Sequence, residues 1–274
     1  MILNEFKDKV VVITGAASGI GRELGKLCAK RNMKVVLADI NEKSVCSLEE
    51  DLKSEKKNVF SMCINVTSPE SIESLAKKTI ETFGRVDYLF NNAGIIWQKP
   101  VWDSTLTDWK RIIDINILGV IYGMKSFLPI MLEQNSGYII NTGSLSGIMR
   151  GELENSAYYG TKSAVIALTE AVRKEMEMSG TNVKISVLIP TLVATKLVKP
   201  KGDSELKSKI KVNNMFLAGA SPEFVAFNIF EGIKENKLYI FPDPNVTSTF
   251  FPSDRTRAIT RGIRASRKLN RRRN

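Results

Sequence analysis

The apolar positions of this chain fall into two rhythms. Short unbroken apolar or near-apolar runs occupy residues 10–13, 35–38, 59–64, 86–90, 138–140, 183–189 and 238–240. Runs of this length without strict alternation fit strands covered on both faces. Between them, apolar residues recur every three or four positions, as they do on one face of a helix. Leu24, Leu27 and Cys28 share such a face after the first run, and Ile72, Leu75 and Ile80 share one after the third. Ser68-Pro69-Glu70 and Ser221-Pro222-Glu223 are helix starts with Pro in the first turn. Gly84 is expected to end a helix, and Thr107 to cap a long one reaching about residue 134. Helices are also expected over 41–56 and 157–178. Strands alternating with helices predict an α/β fold in a single domain: one doubly wound parallel sheet flanked by helices on both faces. The domain is expected over residues 1–250, with a substrate loop at about 191–217 and a separate basic tail at 251–274.

The first run opens into Thr14-Gly15-Ala16-Ala17-Ser18-Gly19-Ile20-Gly21. Strand, glycine turn and helix in succession make an anion site. Glycines let the backbone bend and come close to a phosphate, and the helix start offers unpaired N–H groups and a positive dipole end. Asp39 ends the second run about twenty residues on, where a carboxylate meets a ribose hydroxyl in dinucleotide sites. Its charge repels a 2′-phosphate, so NAD is the expected cofactor. NADP is the lesser alternative, with Arg22 and Lys43 the basic residues close enough in sequence to serve it. On these residues alone, an ordinary glycine-rich turn is the competing reading.

A second set of residues follows. Asn91-Asn92-Ala93-Gly94 lies just past the fourth run, Asn141-Thr142-Gly143-Ser144 ends the fifth, and Tyr158-Tyr159-Gly160-Thr161-Lys162 falls in the next helix. The carboxyl ends of the strands line the ligand crevice of a doubly wound sheet, which brings Ser144 to the same rim as Asn92. Tyr158 and Lys162 are four residues apart and share a helix face.

In order and spacing these four motifs together resemble the short-chain dehydrogenase/reductase family, over about residues 9–239. The resemblance implies a Rossmann-type fold and an NAD(P)-dependent oxidoreductase acting on CH–OH groups. It further implies a homo-oligomer, dimer or tetramer, paired through the 107–134 helix and the helix carrying Tyr158. Gly119 and Gly123 would permit close approach there, or would serve packing on the sheet.

Carried over residue by residue, Tyr158 is the acid/base, and Lys162 lowers its pKa by charge and holds the nicotinamide ribose. Ser144 hydrogen-bonds the reacting oxygen, and Asn116 supports a water in the proton relay. Gly15, Ser18 and Ile20 bracket the pyrophosphate, with Gly19 and Gly21 in the same turn. Asp39 meets the ribose, Asn65 and Val66 flank the adenine, and Asn92, Ala93 and Gly94 contact the adenosine side. Pro190, Val193 and Thr195 belong to the strand-end loop at the carboxamide. Two positions depart from the family pattern: Asn65 stands where Asp is usual, and Pro190-Thr191 where Pro-Gly is usual. Tyr159 lies about 100° round the helix from Tyr158 and is read as packing. Ser146, the rival serine, is one position pair beyond the family's place for it.

Composition narrows the chemistry. The chain has no histidine, which removes every His-based triad and His metal ligand, and no metal site is expected. Of 274 residues, 43% are hydrophobic and 25% charged, ordinary values for a soluble globular protein. The three cysteines, Cys28, Cys46 and Cys63, have no paired spacing, which fits a reducing, cytoplasmic setting. No window is expected to be long and apolar enough for a membrane span, and residues 1–6 are too short and polar for a signal peptide.

Of the net charge of +11, nine positive charges sit in residues 255–274, which hold no acid. That tail could touch an anionic membrane surface or nucleic acid, or a neighbouring subunit, or be a frayed end. Segments 97–103, 145–155 and 191–217 hold Trp97, Trp102, Met149, Leu153, Leu192, Leu197, Met215 and Phe216, which suit a hydrophobic, steroid-like or lipid-derived alcohol or ketone. Glu152 and Glu154 could instead read a polar substituent. A non-catalytic dinucleotide-binding redox sensor is the alternative.

Overall fold

All seven predicted strands pair into one sheet in a computed structural model that describes residues 5–149, 154–190 and 221–242. The chain runs β1 (Val10–Thr14), α1 (Gly19–Lys30), β2 (Lys34–Asp39), α2 (Glu42–Ser54), β3 (Val59–Cys63), α3 (Pro69–Phe83) and β4 (Tyr88–Asn91). It continues through α4 (Leu106–Ile113), α5 (Gly119–Glu133), β5 (Tyr138–Thr142), α6 (Ser156–Ser179), β6 (Lys184–Leu188), α7 (Pro222–Lys234) and β7 (Tyr239–Ile240). Strand order is β3-β2-β1-β4-β5-β6-β7, and each neighbouring pair is parallel. The order reverses between β1 and β4, so the strand ends part there and open a crevice.

Alternate residues of the central strands sort into two cores. Val11, Ile13, Val35 and Leu37 pack with Leu24 and Cys28 of α1, Leu48 of α2 and Phe230 of α7. Val12, Val36 and Ala38 point the other way, to Leu75 of α3, Phe127 of α5 and Val165 of α6. Both faces of the sheet are therefore covered, which is why the strand runs read as continuously apolar.

The helix starts follow ordinary capping chemistry. The side chains of Asn41, Ser68 and Ser221 accept from the N–H three residues on, and Pro69 and Pro222 take first-turn positions. Gly84 closes α3 in the left-handed region, at φ 74°. On α3, Ile72 and Leu75 are buried as expected, but Thr79, not Ile80, takes the next inward position.

Three expectations need correction. The long helix begins two residues early: Thr105, not Thr107, caps α4, and Thr105 and Asp108 cap each other's N–H groups in a capping box. That helix is also not uniform. A π-helical stretch, Asp114–Leu118, separates α4 from α5, with the Gly119 N–H bonded to the Asp114 carbonyl. Finally, the continuous helical stretch Leu106–Glu133 has a window of mean hydropathy 1.6 and is long and apolar enough to cross a membrane by those two measures. Its inward residues Met124, Phe127 and Met131 are core residues of the second face of the sheet.

Candidate active site

At Gly15 and Gly21 of the glycine turn nothing larger than hydrogen fits. Gly15 and Gly19 hold positive φ, 69° and 54°. A Cβ on Gly21 would lie 2.2 Å from the Gly15 carbonyl oxygen, and one on Gly15 2.8 Å from Cα of Ala93. The turn is thereby pressed against the segment after β4. Thr14 Oγ1 ties the two together: it donates to the Phe90 carbonyl at 3.2 Å and accepts from the N–H groups of Asn92 and Ala93 at 3.0 and 3.1 Å. Asn92 Nδ2 donates to the carbonyls of Thr14 and Gly15 at 3.1 and 3.4 Å. Asn92 thus braces the turn with its side chain.

At the start of α1, Ser18 makes no side-chain capping bond, and no acidic residue sits in the first turn. The leading N–H groups and the positive dipole end are left without an internal anion, and the hydroxyl of Ser18 and Ile20 flank them. Asp39 lies across the turn at the end of β2. Its two carboxylate oxygens accept one N–H each, from Ala17 and Asn41, both at 2.9 Å. Lone pairs remain on both oxygens, the acceptor geometry a ribose hydroxyl pair needs. Arg22 is turned away onto Asp51, 3.5 Å from it.

At the far side of this crevice, Asn65 Oδ1 accepts from the N–H and hydroxyl of Thr67 at 3.0 and 2.9 Å, so the amide nitrogen is the end left to meet a base. Val66 packs against Gly119, where an added Cβ would sit 3.1 Å from it. Thr14, Val66, Asn91, Ala93 and Ile115 line a narrow crevice between these elements. A larger cleft of about 350 Å³, between Phe60, Met62 and Lys77, lies along the outer edge of β3 and away from Tyr158.

The second half of the site sits on β5, α6 and the π-helical stretch. Ser144 is 7% exposed and its Oγ accepts from the Ser146 N–H at 3.1 Å. Tyr158 has Ser144 beside it, close enough to act on its phenol. Lys162, 4% exposed, reaches from the next turn of α6 and donates to the Thr142 carbonyl at 2.7 Å. Its Nζ lies 5.8 Å from the centroid of the Tyr158 ring. Gly94 faces this group: a Cβ there would come 3.2 Å from Asn116 Oδ1 and 3.4 Å from Lys162 Nζ. Gly94, expected on the adenosine side, lies beside Asn116 and Lys162.

Asn116 is fully buried because the π-helical stretch rotates it inward. Its amide clasps both backbone groups of Ile95, accepting from the N–H and donating to the carbonyl, each at 2.9 Å. It also donates to Thr161 Oγ1 at 3.2 Å, and that hydroxyl donates to the Tyr158 carbonyl at 2.9 Å. The side chain expected to support a water is thus engaged in fixing the loop after β4 against the Tyr158 helix.

Electrostatics runs against one expectation. Burial pushes the Tyr158 phenol up from its ordinary value; the Ser144 hydrogen bond pulls it down by less, and Tyr159 adds a smaller upward push. Burial pulls Lys162 down to about 8. The lysine was expected to depress the phenol, but in the chain alone its ammonium is spent on a backbone carbonyl, and desolvation dominates both groups.

Gly119 and Gly123 take the second of their two expected roles, packing within the chain: an added Cβ on Gly123 would lie 2.1 Å from Asn91 Oδ1, and one on Gly119 3.1 Å from Val66. Pro190 is buried, and its carbonyl accepts from the Leu145 N–H at 3.0 Å. Val193 and Thr195 lie outside the described residues, as do the 191–217 loop, Glu152, Leu153 and the 251–274 tail. Trp102 is 80% exposed. Sequence reasoning missed Thr14, Thr142 and Thr161, three threonines beside named motif residues.

The arrangement matches known proteins. The sequence model of the short chain dehydrogenase family matches residues 9–206. An uncharacterised oxidoreductase of Staphylococcus saprophyticus is 37% identical over 239 residues, 85% of this chain and 93% of that protein. A CLA biosynthesis dehydrogenase/reductase of Lactiplantibacillus plantarum is 29% identical over 88% of this chain and 90% of its own length. A short chain dehydrogenase/reductase from Burkholderia phymatum, solved in complex with NAD, is 32% identical with a TM-score of 0.80, covering 89% of this chain and 92% of that one. With this sheet order, the glycine turn and the Ser144–Tyr158–Lys162 group on one rim, the chain belongs to the short chain dehydrogenase family and is an oxidoreductase of that type.

Proposed function

We propose that this chain interconverts a secondary alcohol and a ketone with NAD, using Tyr158 as the acid/base. The observation that carries the reading is the juxtaposition of Ser144 and Tyr158, with Lys162 one helical turn further along the same face, its Nζ 5.8 Å from the centroid of the Tyr158 ring. In the reducing direction the Tyr158 O–H gives its proton to the carbonyl oxygen. In the oxidising direction the phenolate takes the proton of the carbinol. Ser144 Oγ holds the same oxygen, and its bond to the Ser146 N–H fixes its direction. Asn116 and Thr161 are positioning residues that keep the loop after β4 and the Tyr158 helix in register.

The residues present fit NAD. Gly15 and Gly21 leave no room for a Cβ, α1 begins without an internal anion, and Asp39 has acceptor capacity to spare while its charge opposes a 2′-phosphate. Gly15, Ser18, Ile20, Asp39 and Lys162 would hold it, and when bound it supplies or accepts the hydride. The relative solved with NAD supports this choice. Leu145, Ile148 and Met149 follow Ser144 and are partly buried, which favours an apolar substrate body.

Tyr158→Phe tests the mechanism. General acid–base groups contribute roughly 10² to 10⁴ in rate, so turnover should fall at least a hundredfold. NAD affinity, read by titration calorimetry, should stay within about threefold, which is under 1 kcal/mol. A variant that turns over alcohol at the wild-type rate overturns the assignment of the acid/base.

A further inference from the structure

Among the described residues, four buried side-chain polar atoms have no hydrogen-bond partner: Arg31 Nη1, Trp97 Nε1, Thr142 Oγ1 and Asn155 Oδ1. Buried polar atoms are normally paired, so each calls for an account. Arg31, Trp97 and Asn155 are partly exposed residues, and no contact aims their unpaired atoms at the site. Thr142 is different. It is only 8% exposed, it stands two residues before Ser144, and its carbonyl holds the Lys162 ammonium at 2.7 Å. Its main chain serves the site, while its hydroxyl meets no partner in the chain.

The sheet fixes where that hydroxyl faces, because side chains alternate along a strand. Asn141, just before it, points to the α5–α6 face, where its amide bonds Asn91 and Thr169. An added Cβ on Gly143, just after it, would meet Ile166 of α6 at 3.2 Å. Thr142 lies between the two and takes the opposite face, in line with Tyr138 and Ile140 of the first core. The glycine turn sits on that same face: Ala16 belongs to the first core, and Ile20 packs against it.

Thr142 is also the last residue of β5, so its side chain stands at the carboxyl rim of the sheet, two strands from β1. At the usual spacing of strands this is about 9–10 Å from the end of β1, where the turn begins. A dinucleotide whose pyrophosphate rests on the turn, and whose reactive ring reaches Tyr158 and Lys162, must cross this rim. Its nicotinamide half then lies over the end of β5, on the side where the Thr142 hydroxyl stands.

We infer that Thr142 is a cofactor-binding residue whose hydroxyl hydrogen-bonds the nicotinamide half of NAD, which supplies the partner that the chain does not. This rests on the NAD reading above and adds a residue to it. Thr142 then acts twice: its carbonyl orients Lys162, and its hydroxyl holds the cofactor beside that lysine. An unpaired buried hydroxyl destabilises the free protein, and a ligand that pairs it removes the penalty. Deleting the hydroxyl therefore moves two measurable quantities in opposite directions, which a role in packing alone does not.

The test is Thr142→Val, which puts a methyl in place of the hydroxyl and keeps the carbonyl that holds Lys162. Without cofactor, the melting temperature of the full chain should rise by about 2–4 °C, because the unpaired hydroxyl is gone. The Kd for NAD, read by titration calorimetry, should rise about tenfold. The Kd for ADP, which carries the adenosine and pyrophosphate without the nicotinamide half, should stay within about twofold. Thr142→Ser keeps the hydroxyl and should bind NAD within about threefold of wild type. An unchanged NAD affinity in Thr142→Val, an equal loss for ADP, or an equal loss in Thr142→Ser overturns the role of Thr142 while leaving the NAD reading intact. A melting temperature that does not rise overturns it too, since the hydroxyl is then already paired in the free chain. Failure of wild type to bind NAD overturns the NAD reading itself, and the inference with it.

Discussion

Lys162 should cost the folded protein stability, and the cost should vanish in alkali. Burial lowers its pKa from 10.5 to about 8, and among the described residues no carboxylate offsets the loss of water. At about 1.4 kcal/mol per tenfold change in proton affinity, holding that ammonium charged near neutrality costs about 3 kcal/mol. The sign follows from proton counting. Between about 8 and 10.5 the unfolded chain still binds a proton that the folded chain has shed, so stability rises with pH across that window. Replacing the residue with Met keeps an unbranched side chain of similar length and removes the titration. The substitution also strands the Thr142 carbonyl, which loses its donor at 2.7 Å. That loss costs about 1–3 kcal/mol at any pH.

The offset between Lys162→Met and wild type near neutrality is therefore a small difference of opposing terms. The change in that offset with pH is not, because the carbonyl contributes equally throughout. From pH 7 to pH 10 the balance should move towards wild type by about 2–3 kcal/mol. Guanidinium unfolding followed by circular dichroism, at one protein concentration and without cofactor, would read it, and titrations common to both proteins cancel in the comparison. Stability curves that run parallel from pH 7 to 10, or that diverge in the variant's favour, would refute the claim that this ammonium is buried at a cost. The variant should also lose turnover, the trade expected where a site holds a charge that the fold alone would expel.

Two further outcomes follow from the glycines and from Asp39. Gly123→Ala drives a Cβ to within 2.1 Å of Asn91 Oδ1 and should break the Asn91–Asn141 bond, costing about 1–3 kcal/mol in a denaturant melt. Gly160→Ala, in α6 where an added Cβ meets no other described element within 4 Å, should instead gain about 0.5–1 kcal/mol in the same assay, and the opposite order of the two would contradict the packing described. Asp39→Ser removes the charge opposing a 2′-phosphate, so the ratio of kcat/KM for NADP over NAD should rise at least about tenfold, equivalent to about 1.4 kcal/mol. An unchanged ratio would move cofactor choice to another residue.

The parts of this protein that could be read from its sequence are those that depend on order along the chain. A glycine turn after an apolar run, an acid at the end of the next run, and Tyr158 four residues before Lys162 each occupy a place that strand and helix periods dictate. The alternation of runs and helices placed Gly15, Asp39, Asn92 and Ser144 at strand ends, and a parallel sheet puts strand ends on one rim. The N-cap slipped from Thr105 to Thr107 because Leu106, 88% exposed, belongs to no buried stripe and gives no periodic cue. The capping-box signal was nevertheless present in Thr105 and Asp108.

What escaped has a common physical character: it depends on which polar group is satisfied by which. One extra residue in the Asp114–Leu118 turn leaves the apolar pattern almost unchanged, yet it turns Asn116 from the surface into the core. Once inside, an amide must spend its donors and acceptor on whatever is near, and what is near is Ile95 and Thr161. Thr14 and Thr142 are likewise unremarkable in a β-strand, until the hydroxyl of one and the carbonyl of the other become the nearest partners of a buried loop and a buried ammonium. The direction of the Tyr158 shift was misread for the same reason. Spacing shows that a cation stands beside a phenol, but the sign of the shift depends on how much water each has lost and on where the cation's protons go. A neighbour can be read from spacing alone; desolvation requires all the elements packed round the pair, and here β5, α6 and the π-helical stretch supply them together.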